Sequence, residues 1–179
     1  MTSTLLIGGE SDPIYVHRVL TMYVKCFDFV PYFWNEADGI KKSEDYKPYV
    51  LQSTVDANCA TAMINSSTFF LYFILLGDGF HCGKEFVHSF PASLGQLPAE
   101  ARDSLQEQKR LLMEDMKEHS VRRVAQSKKT GRVEYDEFWP RPKHILDKID
   151  QVLAQHYGFS DEELDFIINY DIKYRMGGE

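Results

Sequence analysis

The chain is most constrained by eight consecutive apolar residues, Phe69 to Leu76 (FFLYFILL), inside the stretch Ala62–Pro91. A helix through them has no polar face, so the sequence predicts a segment buried on all sides. The run is too short for a membrane span, which needs roughly 18 apolar residues. It ends abruptly at Gly77, Asp78, Gly79, Phe80, His81, Cys82, Gly83 and Lys84. That is turn-forming sequence carrying a carboxylate, an imidazole and an ammonium. Two readings fit: a core helix with its exit turn, or an apolar anchor that presents a polar loop to a partner.

At 179 residues the chain has the length of one domain or two small ones. With 44% hydrophobic and 26% charged residues it has the composition of an ordinary globular protein. Residues 1–10 lack the basic start and long apolar region of a signal peptide. Three scattered cysteines, Cys26, Cys59 and Cys82, make no disulfide framework and suit a reducing cytoplasm. No CxxC pair offers zinc ligands. The net charge of −7 argues against a general nucleic-acid binder, but the charge is polarised. Between His119 and Arg132 lie Arg122, Arg123, Lys128, Lys129 and Arg132 with no acid, whereas residues 144–179 hold eight acids against three bases. A local patch, not the total, decides anion binding.

Residues 1–13 read as a loose start. Ile14 to Phe29 reads as one or two strands, with a hairpin turning near Leu20-Thr21. A turn follows at residues 35–39, a polar loop at residues 41–46 and a short strand at residues 49–51. Ser53 is placed to cap a helix through Ile64, and Asn65-Ser66-Ser67 to interrupt or re-cap it. Glu85 to Phe90 is a short element closed by Pro91. After a linker at residues 94–98 a charged amphipathic helix runs from Ala99 to about Val124, with Ala101, Leu105, Leu112 and Met116 as its stripe. Ser127 to Arg132 is a basic loop, and Val133 to Trp139 is extended and ended by Pro140 and Pro142. Pro142 opens the next helix at its first position, Ile145, Ile149, Val152 and Leu153 form its apolar face, and Gly158 stops it. Ser160 and Glu163 form a capping box for the last helix, with Phe159 and Leu164 as its staple. Its stripe is Leu164, Ile167, Ile168 and Ile172, and Gly177-Gly178 ends it. The expected fold is α+β: a small, mostly antiparallel sheet from residues 14–51 with packed helices, then a helical C-terminal part. Residues 1–98 form the first region and 99–179 the second, together in one compact unit.

Enzymatic motifs are scarce. There is no Walker loop and no GxSxG. Gly77-x-Gly79-x-x-x-Gly83 is one residue off the dinucleotide spacing and follows a helix rather than a strand. Glu107-Gln108-Lys109 has a nuclease-like spacing but lies within an amphipathic helix. Glu134, Asp136 and Glu137 can bind a hard cation or pair with neighbouring Arg and Lys. Recognition chemistry remains. Arg18, Lys25, Lys41, Lys42 and Lys47 are interleaved with Tyr15, Tyr23, Phe27, Tyr32, Phe33, Trp34 and Tyr46. Cations position phosphates and polar side chains read base edges. The Arg122–Arg132 cluster, placed on a helix end and loop, either grips a phosphate backbone or is a solvated helix terminus.

SDEELDFIINYDIKYRMG (residues 160–177) resembles the C-terminal signature of large bacterial adenine-specific (N6) DNA methyltransferases of restriction-modification systems, including the fused type II restriction-methylation enzymes. TGRVEYDEFWPRPKHILDKIDQVLAQHYGF is similar to the segment before it in that family. INSSTFFLYFILLGDGFHCGKEFVHSFP resembles the family's target-recognition region, and RVLTMYVKCFDFVPYFWNEADGIKKSEDYK the start of that region. The resemblance implies a DNA target-recognition (specificity) region, with double-stranded DNA and a catalytic methyltransferase domain or subunit as partners. The parent enzyme would use S-adenosylmethionine and an Asn-Pro-Pro-Tyr-type loop around the extrahelical adenine. No two prolines are adjacent here, so no cofactor and no catalysis are expected of this chain alone, which reads as an excised, separately encoded or truncated fragment. By the same resemblance Asn65 and Ser66 through Phe73 are scaffold. Asp78, His81 and Lys84 are loop residues near DNA, and Arg18, Tyr23 and Lys25 lie on a first recognition hairpin. Arg122, Arg123, Lys128, Lys129 and Arg132 complete the DNA-binding candidates. The alternatives are a protein-interaction module docking a methyltransferase or nuclease subunit, and an independent nuclease using Glu107.

Overall fold

The computed structural model describes residues 8–20, 23–139 and 142–171. Its elements are β1 (Ile14–His17), β2 (Cys26–Phe27), β3 (Phe33–Asn35), β4 (Gly39–Ile40), β5 (Tyr46–Tyr49), α1 (Thr54–Asn65), α2 (Ser67–Leu76), α3 (Lys84–Ser89), a 3-10 turn (Leu94–Gln96), α4 (Ala99–Glu118), β6 (Val121–Ser127), β7 (Gly131–Glu137), α5 (Lys143–Tyr157) and α6 (Asp161–Asn169). The fold is α+β with two small antiparallel sheets, ordered β2-β1-β5 and β4-β3-β7-β6.

Local chemistry sets the helix boundaries. The Ser53 hydroxyl accepts from Asp56 N at 3.1 Å and opens α1. At Ser66 the backbone turns extended, its hydroxyl donates to Met63 O at 2.6 Å and accepts from Phe69 N at 3.0 Å. One side chain thus closes α1 and caps α2, and the two helices meet at a 65° bend. The other free amides of α2 are taken by Asp150 from α5. Its buried carboxylate accepts from Ser67 N at 3.1 Å, Thr68 N at 2.9 Å and the Thr68 hydroxyl at 2.8 Å. Asn65 turns the other way: its amide donates to Cys26 O at 2.8 Å and accepts from Cys26 N at 3.1 Å, completing the free edge of β2. The Asn-Ser-Ser sequence is therefore a joint tying β2, α1, α2 and α5 together.

Helix α1 occupies the centre, where Ala57, Ala60 and Ala62 let neighbours approach closely. It packs on α4, which buries Leu105, Leu112, Met113 and Met116. Helix α5 adds Ile145, Leu146, Ile149 and Leu153. Helix α3 is anchored by rings, with Phe69–Phe90 centroids 4.9 Å apart and Tyr72–Phe86 4.6 Å. Among the described residues no single helix is long and apolar enough to cross a membrane.

Several expectations change. Phe69, Phe70 and Phe73 are buried, but Leu75 and Leu76 are each 69% exposed. The apolar run is therefore not enclosed on all sides, because its outer face lines an open groove against α6. Residues 121–127 are a strand, not the end of α4: Arg122 and Arg123 lie opposite Asp136 and Tyr135, and Gly131 makes the turn at φ +71°. The residue 14–51 strands divide between two sheets, since β3 pairs with β7 (Trp34↔Glu134) and draws in sequence from beyond residue 98. The fifth strand is Tyr46–Tyr49 rather than residues 49–51. Its Pro48, which has no N–H to donate, is tolerated because the strand is an edge. Pro142 precedes α5 as its cap instead of starting it. The Ser160–Glu163 capping box is present, but α6 stops at Asn169. Thr21 of the expected first turn, Pro140, Ile172 and Gly177-Gly178 lie outside the described residues.

Candidate nucleic-acid interface

The segment leaving β1 and the loop leaving α2 run antiparallel. Leu20 N donates to Phe80 O at 2.9 Å, Cys82 N donates to Arg18 O at 2.8 Å, and Val19 bridges His81. Cys82 is buried and pins the loop, so Phe80, His81 and Lys84 stand at the surface. Burial pushes the Cys82 thiol up to about 12, which leaves it protonated and unreactive at neutral pH. Asp78 orders the turn. One carboxylate oxygen accepts from Phe80 N at 2.9 Å and His81 N at 2.6 Å, and the other meets His81 Nδ1 at 2.7 Å. This is an Asx-type turn. Strand β5 carries Lys47 beside Val16 of β1.

Arg18, Lys47, His81 and Lys84 thus surround one shallow depression of about 490 Å³ bordered by Pro48 and Gly83. Arg18 is oriented by Asp45 at 2.9 Å. Among the described residues Lys47 and Lys84 carry no ion pair. Phe80 is 50% exposed beside this surface and packs edge-on against His81 at 4.8 Å. Free cations with an exposed aromatic are the elements that hold a phosphate chain and stack on a base. The site unites residues from three separate parts of the chain.

The Asp78 interactions carry a pH signature. Backbone donation from His81, then from Phe80, then the imidazole contact, holds the Asp78 carboxyl down at about 2. A depressed folded-state value means the turn's contribution is complete above the ordinary carboxylate value of about 4 and is lost as pH falls through about 2. Carbon-detected titration of the Asp78 carboxyl is expected to give a midpoint near 2. A midpoint at the ordinary carboxylate value would remove the turn from solution.

The other candidates do not join this depression. Arg122, Arg123 and Arg132 lie on the β6–β7 hairpin and already face carboxylates. Arg122 pairs with Asp136, Arg123 with Glu137 at 2.7 Å and Arg132 with Glu134 at 2.7 Å. Arg122 also lies over the Tyr32 ring at 3.6 Å. The basic run is therefore no helix terminus: cross-strand acids neutralise Arg122 and Arg123, and Glu134 of the same strand neutralises Arg132. Lys128 and Lys129 sit at the hairpin turn. Tyr23 donates to Phe138 O at 2.7 Å, and Lys25 lies over the Tyr23 ring at 5.0 Å, facing a different crevice. Glu107 is paired with Arg110 at 2.7 Å, and Lys109 with Asp28, so the carboxylate–lysine spacing builds no cluster.

Lys47 is among the sequence's recognition cations but not its DNA-binding site candidates, and Phe80 is in neither group. Lys47 is placed there by the β1–β5 register, which no local pattern announces. Phe80 had a signal, being a large aromatic within a glycine-rich turn. No family profile, curated protein or solved structure matches the chain.

Proposed function

We propose that this chain is the DNA target-recognition region of an adenine-specific DNA methyltransferase of a restriction-modification system, binding duplex DNA without chemistry of its own. The resemblance of its segments to that family supplies the class. The observation that carries the reading is the convergence of Arg18, Lys47, His81 and Lys84, with Phe80, on one exposed face. In this reading the methyl donor, S-adenosylmethionine, belongs to a catalytic partner.

Fluorescence anisotropy with duplex DNA at varied salt tests it. Affinity is expected to fall steeply with salt, and Lys47→Ala/Lys84→Ala to weaken binding about tenfold and lower the salt slope by roughly 2. The double variant keeps its melting temperature because both side chains are exposed. His81→Ala/Lys84→Ala weakens DNA binding in the same way. Absence of binding to any duplex at low salt sinks the reading.

A second reading, a module docking a methyltransferase or nuclease subunit, is favoured by a different observation. Helices α2, α5 and α6 border an apolar groove of about 740 Å³. Leu75, Leu76 and Phe166 are 69%, 69% and 57% exposed there, as at protein contact sites. Co-purification with such a subunit, without DNA affinity, selects this reading.

A further inference from the structure

The two sheets face each other across a crevice of about 320 Å³, separate from the basic depression. We infer that this crevice binds one planar nitrogen heterocycle of nucleobase size, held between aromatic walls and read at its edge by Lys25 and His17.

The walls follow from strand register. Phe33 and Tyr135 are directly paired on one face of the four-stranded sheet, and both line the crevice. His17 and Tyr46 are paired across β1 and β5 and line it from the other sheet, their rings in an edge-to-face contact at 4.9 Å. Aromatic side chains on opposing sides suit a flat, polarisable ring. The volume lies at the lower end for ligand sites and takes one ring system, not a chain of them.

The edge chemistry calls for both a donor and acceptors. Lys25 is half-buried at the crevice, and its ammonium makes no hydrogen bond or ion pair among the described residues. Burial also lowers its pKa. Its ammonium has the Tyr23 ring face and the Glu137 charge as neighbours and is open to a ligand acceptor at the crevice. His17 Nδ1 lies 2.6 Å from Val19 O and 3.2 Å from Val19 N; the closer contact, to the carbonyl, assigns the proton to Nδ1 and leaves Nε2 as an acceptor. Burial lowers the His17 pKa and keeps the ring neutral. The surrounding carboxylates are already neutralised: Asp45 by Arg18, Asp136 by Arg122 and Glu137 by Arg123. A phosphate here would find those arginines taken by the carboxylates and only the Lys25 ammonium left to hold it. A neutral heterocycle that offers a carbonyl or ring nitrogen to Lys25 and an N–H to His17 meets no such conflict. This inference stands on the crevice alone and does not need the DNA-binding surface.

The test uses the whole chain, ¹⁵N-labelled, titrated separately with the four deoxynucleosides and with glucose. At least one nucleoside is expected to bind with Kd on the order of 1 mM, shifting amides at His17, Lys25, Tyr46 and Tyr135. Lys25→Met should weaken that binding at least tenfold, and Tyr135→Leu provides the same comparison if Lys25→Met does not fold. Nucleoside binding retained in His81→Ala/Lys84→Ala, whatever becomes of its duplex affinity, separates this site from the basic depression. The inference is overturned if no nucleoside binds, if the shifts map elsewhere, if glucose gives the same shifts, or if a folded crevice variant binds as the parent does.

Discussion

Replacing Asp150 with alanine is expected to destabilise the protein by about 3–5 kcal/mol, the range for removing one partner from a buried charged cluster. The carboxylate is fully buried and accepts hydrogen bonds from Ser67 N, Thr68 N and the Thr68 hydroxyl. It answers the free amides and positive end of α2 from another helix. Alanine leaves those amides buried without acceptors. Asp150→Asn keeps one acceptor oxygen but turns an NH₂ group toward N–H donors, so it should lose roughly half as much. Urea unfolding with an unchanged m-value is the measurement, and a loss below about 1 kcal/mol would contradict the capping role.

The sign of the pH dependence at Asp150 is opposite to that at Asp78. Burial pushes the Asp150 carboxyl up, against the pull of the Thr68 and Ser67 donors. Between the ordinary carboxylate value and the raised one, the folded state holds more protons than the unfolded chain, so this residue's contribution falls as pH rises. The ion is costly to bury, yet truncating it costs more, because the groups it satisfies remain buried.

Boundaries governed by neighbouring residues were legible in the sequence. Ser53, Ser66 and Ser160 announced three helix starts, because a hydroxyl caps amides only two or three positions away. Contacts between distant segments were not legible. Nothing near Asp150 indicates that it caps a helix some eighty residues earlier, and in sequence it reads as one more acid on an amphipathic helix. The sequence extends α4 into β6 because no glycine or proline lies between Pro98 and Gly131 to end the helix. The better signal was the KKTG turn followed by alternating VEYDE, which is hairpin sequence. The difference reaches function: on a helix end Arg122 and Arg123 would form an open basic cluster, whereas strand pairing sets acids against them. The candidate site was half legible. Arg18, His81 and Lys84 were chosen from residue type and loop position, and the pairing of residues 18–20 with residues 80–82 brings them together. Lys47 needed the sheet register.

Asn65→Ala is the second large effect, expected at about 2–4 kcal/mol. Strand β2 is only two residues long and pairs with β1 on one side. On its other side the Asn65 amide takes the place of a neighbouring strand, meeting both Cys26 N and Cys26 O, and it donates also to Thr61 O at 2.8 Å. Alanine leaves the Cys26 N–H and C=O buried and unpaired, and Phe27, fully buried against Phe29, Tyr46 and Phe138, loses the support of its strand. Aspartate keeps the acceptor but loses both donations, so Asn65→Asp should be no milder. The Cys26 amide is the local reporter: its hydrogen exchange should accelerate in Asn65→Ala beyond the global loss of stability. If Cys26 stays protected and the urea midpoint hardly moves, the amide is not holding β2. Asn65 and Asp150 act on opposite sides of Ser66, so loosening one should partly free the amides the other holds. A double-mutant cycle is therefore expected to show a coupling of roughly 1 kcal/mol, the double variant being less damaged than the sum of the singles. Strict additivity would mean that the β2 clamp and the α2 cap are independent and that the joint is two separate attachments.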